Sequence, residues 1–170
     1  SDFFDFSDVK FDSLETSNIV FENSTLNGKC KFTRTVFPAI KFNTCDFNYT
    51  NFRSAKFEHN MLISKCAFHS EADFTDCSFL KESKFLFTSF HSNTLFQYAN
   101  FNNIVKFHNV DFKESQLVTF NGNLSNVSFL GSDITRVKFD EKIVWGDSDR
   151  YSVFDARELI KTPEKFGLSS

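Results

Sequence analysis

Residues 41–57 read KFNTCDFNYTNFRSAKF, with Phe at 42, 47, 52 and 57 and a small or β-branched residue two places before each: Ile40, Cys45, Thr50 and Ala55. A large aromatic every fifth residue fits neither regular element. An α-helix turns about 100° per residue, so steps of five or six throw successive rings onto nearly opposite faces and leave no apolar stripe. The abundant Asn, Ser, Thr and β-branched residues are also poor helix formers. An unbroken strand fails because an odd step flips the side chain to the other face. What remains is a very short strand that turns a corner at every repeat.

The pattern runs far beyond this stretch. Phe recurs at Phe32, Phe37, Phe42, Phe47, Phe52 and Phe57, then at Phe68, Phe74, Phe79, Phe85, Phe90, Phe96, Phe101, Phe107 and Phe112, with Phe129 and Phe139 beyond. The first run steps by five; from Phe74 the steps alternate five and six. Leu62 is expected to fill the gap between Phe57 and Phe68, and Phe6, Phe11, Thr16, Phe21 and Leu26 hold the five-step upstream. Small residues such as Val9, Ile19, Thr35, Cys77, Ser83, Val105 and Val127 keep the place two before the ring. The residue between is polar, as in Lys31, Asp46, Lys84, Lys106 and Asp111. Each repeat therefore turns one large and one small side chain inward and polar groups outward, which makes a solenoid.

Repeats such as CDFNY (45–49), TNFRS (50–54), AKFEH (55–59), CSFLK (77–81) and ANFNN (99–103) carry a resemblance to the pentapeptide-repeat family, over residues 4–145. The resemblance implies a right-handed quadrilateral β-helix over residues 1–145, with four repeats per coil. The Phe-rich spacing, followed by NVSFLGSDITRVKFDEKIVWG (126–146), is most similar to archaeal members. Four alternating steps sum to 22 residues, so Phe85, Phe107 and Phe129 should stack, as should Phe68, Phe90 and Phe112, and Phe74, Phe96 and Val118. Earlier the interval is 20 or 21, placing Phe11 on Phe32 and Phe32 on Phe52. Six to seven coils at about 4.8 Å each make a rod about 30 Å long.

Asn27-Gly28 and Asn121-Gly122 are turn dipeptides expected to bulge outward. Trp145 is expected to be the last large ring. Residues 146–170 leave the repeat and are expected to cap the open end, with a short helix within YSVFDARELI (151–160). Phe3 and Phe4 are expected to cap the other end.

Cys30, Cys45, Cys66 and Cys77 each stand two before a Phe, in the small inward slot, where Cys acts as a compact apolar residue. Unpaired buried thiols suit a reducing, cytoplasmic setting. His69 and His91, 22 apart, should stack on an outer face; the third place in that column is Lys113, a poor metal ligand. His108 belongs to another face. Sequons at Asn23, Asn48, Asn123 and Asn126 are expected in a chain this rich in Asn, Ser and Thr. Glu71, Asp73 and Asp76 fall at outward, solvated places. No GxSxG, Walker loop or HExxH occurs, so neither an enzyme nor a cofactor is expected.

Net charge is −3, too small to imply a charged partner, and no apolar run approaches the roughly 20 residues that cross a bilayer. The chain opens at Ser1 without Met, as a trimmed or excised segment would. Some pentapeptide-repeat proteins mimic duplex DNA and bind type II topoisomerases, so gyrase inhibition or protection is the alternative that the resemblance implies. That role needs an acidic stripe, yet residues 29–138 hold 13 Lys and Arg against 9 Asp and Glu. The favoured reading is a non-catalytic interaction scaffold or rigid spacer. Its candidate surface is the outward apolar set Leu80, Leu86, Phe87, Tyr98 and Leu130, for an unidentified protein partner or a second copy. The slight, scattered basic excess gives no nucleic-acid stripe, and no membrane insertion is expected.

Overall fold

The computed structural model describes residues 3–11 and 18–145. Over them the chain winds through four parallel sheets in a fixed order, once per coil. The first wall contains seven strands, beginning with Phe3–Asp5 and ending with Val137–Phe139; the second has four, from Val36–Phe37 to Asn100–Phe101. The third has six, from Asn18–Glu22 to Val127–Ser128, and the fourth four, from Thr25–Leu26 to Ser89–Phe90. The chain is an all-β solenoid of about six coils, as its repeat implies.

The core is a set of ring columns. Phe85 stacks on Phe107 at 4.5 Å and 9°, Phe74 on Phe96 at 4.8 Å and 4°, and Phe47 on Phe68 at 4.6 Å and 7°. These spacings follow the distance between neighbouring strands, because each ring sits directly above its repeat partner. Rings from opposite walls meet edge to face across the core, as Phe74 of the first wall does with Phe85 of the third at 86°. The ring ladder from Phe32 to Phe129 is buried, and Phe139 is partly buried at its end.

Three details of the register differ from the sequence reading. Ile63, not Leu62, stands between Phe42 and Phe85, with Met61 in the small slot; Leu62 points outward. Phe96 stacks on Phe120, not Val118, because the corner after Phe112 is two residues longer than its neighbours. The two corners between Phe120 and Phe129, on either side of buried Leu124, are each one residue shorter, so Phe107 still meets Phe129. Phe11 stacks on Phe37 and Phe6 on Phe32, since Phe11 and Phe21 occupy successive walls ten residues apart. Thr16 lies outside the described residues.

Smaller corrections follow from the same register. Gly28 is buried and does not bulge outward, while exposed Gly122 takes the ordinary positive-φ place two after Phe120 at φ 85°. Phe3 and Phe4 extend the first wall and stay exposed, with the Lys31 ammonium 4.9 Å from the Phe3 ring. Trp145 packs edge-on against Phe139 at 5.0 Å and is 42% exposed. The expected cap and helix of residues 146–170 lie outside the described residues.

The corners explain why fives alternate with sixes. Corners from the first to the second wall and from the third to the fourth take five residues, and the residue two after the ring has positive φ. Arg34, Ser54, Asp76 and Tyr98 serve the former; Thr44, Lys65, Phe87 and Asn109 serve the latter. Its amide then points along the rod to the next coil, as Thr44 N does to Ser64 O at 2.9 Å. From Phe57 to Phe107 the other corners take six residues and avoid positive φ. Gly131, two after Phe129, holds the next third-to-fourth-wall corner at φ 72°, where a Cβ would stand 2.6 Å from Asn109 Oδ1. Left-handed backbone costs a non-glycine residue about 1–2 kcal/mol, and β-branched Thr44 is among the worst suited. Thr44→Asn should therefore raise stability by about 1 kcal/mol in chemical denaturation; a loss would contradict this account of the corner.

The two conspicuous sequence slots also acquire physical reasons. Thr35, Cys77 and Ser132, in the inward small slot, donate to the carbonyls of Phe6, Phe52 and Phe107 one coil back, at 2.6, 2.9 and 2.7 Å. The outward residue before the ring is often Asp or Asn because its Oδ1 accepts an amide two residues on: Asn51 from Arg53, Asp73 from Thr75 and Asp111 from Lys113. Asp73, expected to be solvated, is buried by its neighbours in the ladder.

Candidate interaction face

The third wall includes the longest strands of the rod and, with the residues that flank them, presents three outward columns of side chains. The column entering the wall runs Asn18, Ala39, Asn60, Glu82, Ile104, Asn126. The middle column runs Val20, Lys41, Leu62, Lys84, Lys106, Ser128, and the last Glu22, Asn43, Ser64, Leu86, His108, Leu130. Phe87 projects from the corner just past Leu86.

Exposed large apolar groups gather on this wall. Apart from the two ends of the described rod, they are Val20 at 50%, Phe87 at 59%, Ile104 at 49%, Leu130 at 53% and Tyr98 at 71%. All but Tyr98 belong to the third wall and its flanking corners, and half-buried Leu62 and Leu86 lie between them. A groove of about 290 Å³ crosses the wall, lined by Val20, Lys41, Leu62, Lys84, Asn60 and Glu82 among others. It runs along the rod, because these residues come from successive coils.

The electrostatics of the face are simple. Lys41 pairs with Glu22 at 2.8 Å, and Glu82 serves both Lys84 at 2.8 Å and Lys106 at 2.7 Å. Hydrogen bonds from Lys106 and Lys84 hold the Glu82 carboxyl below its usual range. His108 is pushed down by burial and by neighbouring Lys106, so it is neutral near pH 7, with Nε2 2.9 Å from Ser128 Oγ. The stretch Leu86, His108, Leu130 is then an uncharged rim beside a basic column.

The expected surface set is thus divided. Leu86, Phe87 and Leu130 come together at one edge of the third wall. Leu80 follows Phe79 on the second wall, and Tyr98 sits at the corner between the first and second walls beside a separate hollow with Asn121, Asn123 and Lys142. Leu62, Val20 and Ile104 escaped the sequence reading, although the five-and-six alternation carried back to Phe57 would have turned Leu62 outward.

The other candidates resolve locally. His69 and His91 stack on the fourth wall at 5.3 Å and 4°, with Asp46 Oδ1 3.2 Å from His69 Nε2 and Glu114 Oε2 2.6 Å from His91 Nδ1. Each imidazole has its own carboxylate, and among the described residues no three His, Cys, Asp or Glu side chains form a metal-binding group. The four thiols are free and buried. Burial pushes Cys66 up to about 12 and Cys77 well above the ordinary thiol value, so both stay protonated. Asn48 and Asn126 spend their amide groups on the carbonyls of Asn27 and Phe101. No helix among the described residues is long and apolar enough to cross a membrane.

Comparisons with known proteins add little to this geometry. No family model matches the chain, and no curated protein matches it. Among solved structures it is similar to a trypsin-treated variant of QnrB1, a plasmid-mediated fluoroquinolone resistance protein, at 16% identity over 95% of each chain with a TM-score of 0.28. A likeness at that score carries no argument here.

Proposed function

We propose that the chain is a rigid, non-catalytic interaction scaffold of pentapeptide-repeat type that presents its third wall to a protein partner. The observation that carries this reading is the gathering of Val20, Leu62, Leu86, Phe87, Ile104 and Leu130 on one wall and its edge, which also carries a groove lined by Val20 and Leu62. Apolar groups collected on one face of a monomer favour a partner surface, whereas scattered ones need no explanation. Stacked rings along the axis resist bending, which suits a protein that holds a partner at a fixed place. The topoisomerase-binding alternative has less support: the middle column of the third wall carries Lys41, Lys84 and Lys106 where a DNA mimic needs carboxylates.

Site-specific photo-crosslinking in extract of the source cells tests the reading. A benzophenone side chain replacing Phe87 should give discrete adducts, and the same group replacing Tyr98 should give none. No adduct from position 87, or the same adducts from both positions, would overturn the assignment.

A further inference from the structure

We propose that the third wall binds an acidic amphipathic α-helix lying along the rod axis. This rests on the interaction reading above and names the class of partner. The dimensions come first. Alternate residues of a strand stand about 6.7 Å apart, so three outward columns span about 13 Å, matching a helix about 10–12 Å wide. Successive coils rise about 4.8 Å and a helix rises 5.4 Å per turn, so each turn of a helix along the axis meets about one coil. Six strands cover about 24 Å, the length of a helix of about 16 residues. The groove already runs in that direction, over Val20, Lys41, Leu62 and Lys84.

Chemistry then selects the sign of the partner. Val20 and Leu62 line the groove, and Leu86 and Phe87 stand beyond Lys84 with Leu130 two coils further along the same edge, so the wall offers a seam to one apolar stripe. Lys41, Lys84 and Lys106, with exposed Lys65 at the rim, outnumber Glu22 and Glu82 on the same face. Because Glu82 is shared between two ammonium groups, that column keeps an excess of positive charge. A helix with carboxylates beside its leucines neutralises the excess, whereas a second copy of this wall would add lysines to lysines.

The probe is a fluorescent helical peptide of about 16 residues, with Leu on one face and Glu beside it, followed by anisotropy. Two control peptides replace every Glu by Lys or every Leu by Ser. The Glu–Leu peptide should bind saturably, the controls at least about tenfold more weakly, and added salt should weaken binding. Leu62→Ser and the double change Lys84→Ser/Lys106→Ser should each weaken it about tenfold while melting as wild type does. No saturable binding, equal binding of the Lys–Leu peptide, or indifference to both variants would overturn the proposal. Light scattering on the same samples reads the remaining occupant. A wild-type dimer split by Leu86→Lys/Phe87→Lys would assign the face to a second copy, overturning the helix while leaving the scaffold reading intact.

Discussion

Phe107→Ala should cost about 3–5 kcal/mol, whereas its chain neighbour Lys106→Ala should cost at most about 1. The Phe107 ring is fully buried between Phe85 at 4.5 Å and Phe129 at 5.3 Å in its own column. It also meets Phe96 at 5.1 Å and Phe120 at 5.3 Å edge-on from the first wall. Truncation removes all four ring contacts, and neighbours hydrogen-bonded in their own coils can collapse into the gap only slightly. Lys106 leaves one ion pair, and Glu82 keeps Lys84. In a chain of this size the ring deletion should lower the melting temperature by about 10 °C. Equal losses for the two changes would contradict the inward assignment of Phe107.

The second large effect concerns residues 62 and 63, where the sequence offers three apolar residues in a row. Ile63 is fully buried in register with Phe42 and Phe85, so Ile63→Asp places an unpaired carboxylate in the ring columns and opens a cavity. The combined cost, upward of about 5 kcal/mol, should prevent folding. Leu62→Asp puts the same group on the surface beside Lys41 and Lys84 and should change stability by less than about 1 kcal/mol. Soluble yield and circular dichroism separate the outcomes. A folded Ile63→Asp with an unfolded Leu62→Asp would mean that the wall is read one residue out of register.

The same pair shows where the sequence stops being legible. Along most of the chain one ring, one small residue and one polar residue between them fix both spacing and facing. At Met61-Leu62-Ile63 that contrast vanishes, and only the step count from Phe57 separates the candidates. Phe120 was hidden differently: Val118 and Phe120 both face inward, so a two-residue lengthening of the preceding corner leaves the alternation intact. In the first coil, Thr16 fits a five-residue step and so masked the ten residues between Phe11 and Phe21.

The candidate face was less legible than the fold. Leu86, Phe87 and Leu130 read as outward apolar residues from their places after a ring. Grouping them with Val20, Leu62 and Ile104 requires knowing which wall each occupies, and therefore the length of every corner between them. Leu80 and Tyr98 looked equivalent in sequence but stand beyond other corners. The carboxylates beside His69 and His91 come from neighbouring coils, at Asp46 and Glu114, more than 20 residues away in the chain.

The claim that the third wall is the recognition face can be tested residue by residue. Methyl NMR of protein labelled at Ile, Leu and Val, titrated with the Glu–Leu helix, reports each wall separately. The account predicts shifts at the outward methyls of Val20, Leu62, Leu86, Ile104 and Leu130, with Leu80 on the second wall and Leu95 on the first unmoved. Shifts centred on Leu80 or Leu95, or a spectrum that does not change, would contradict it.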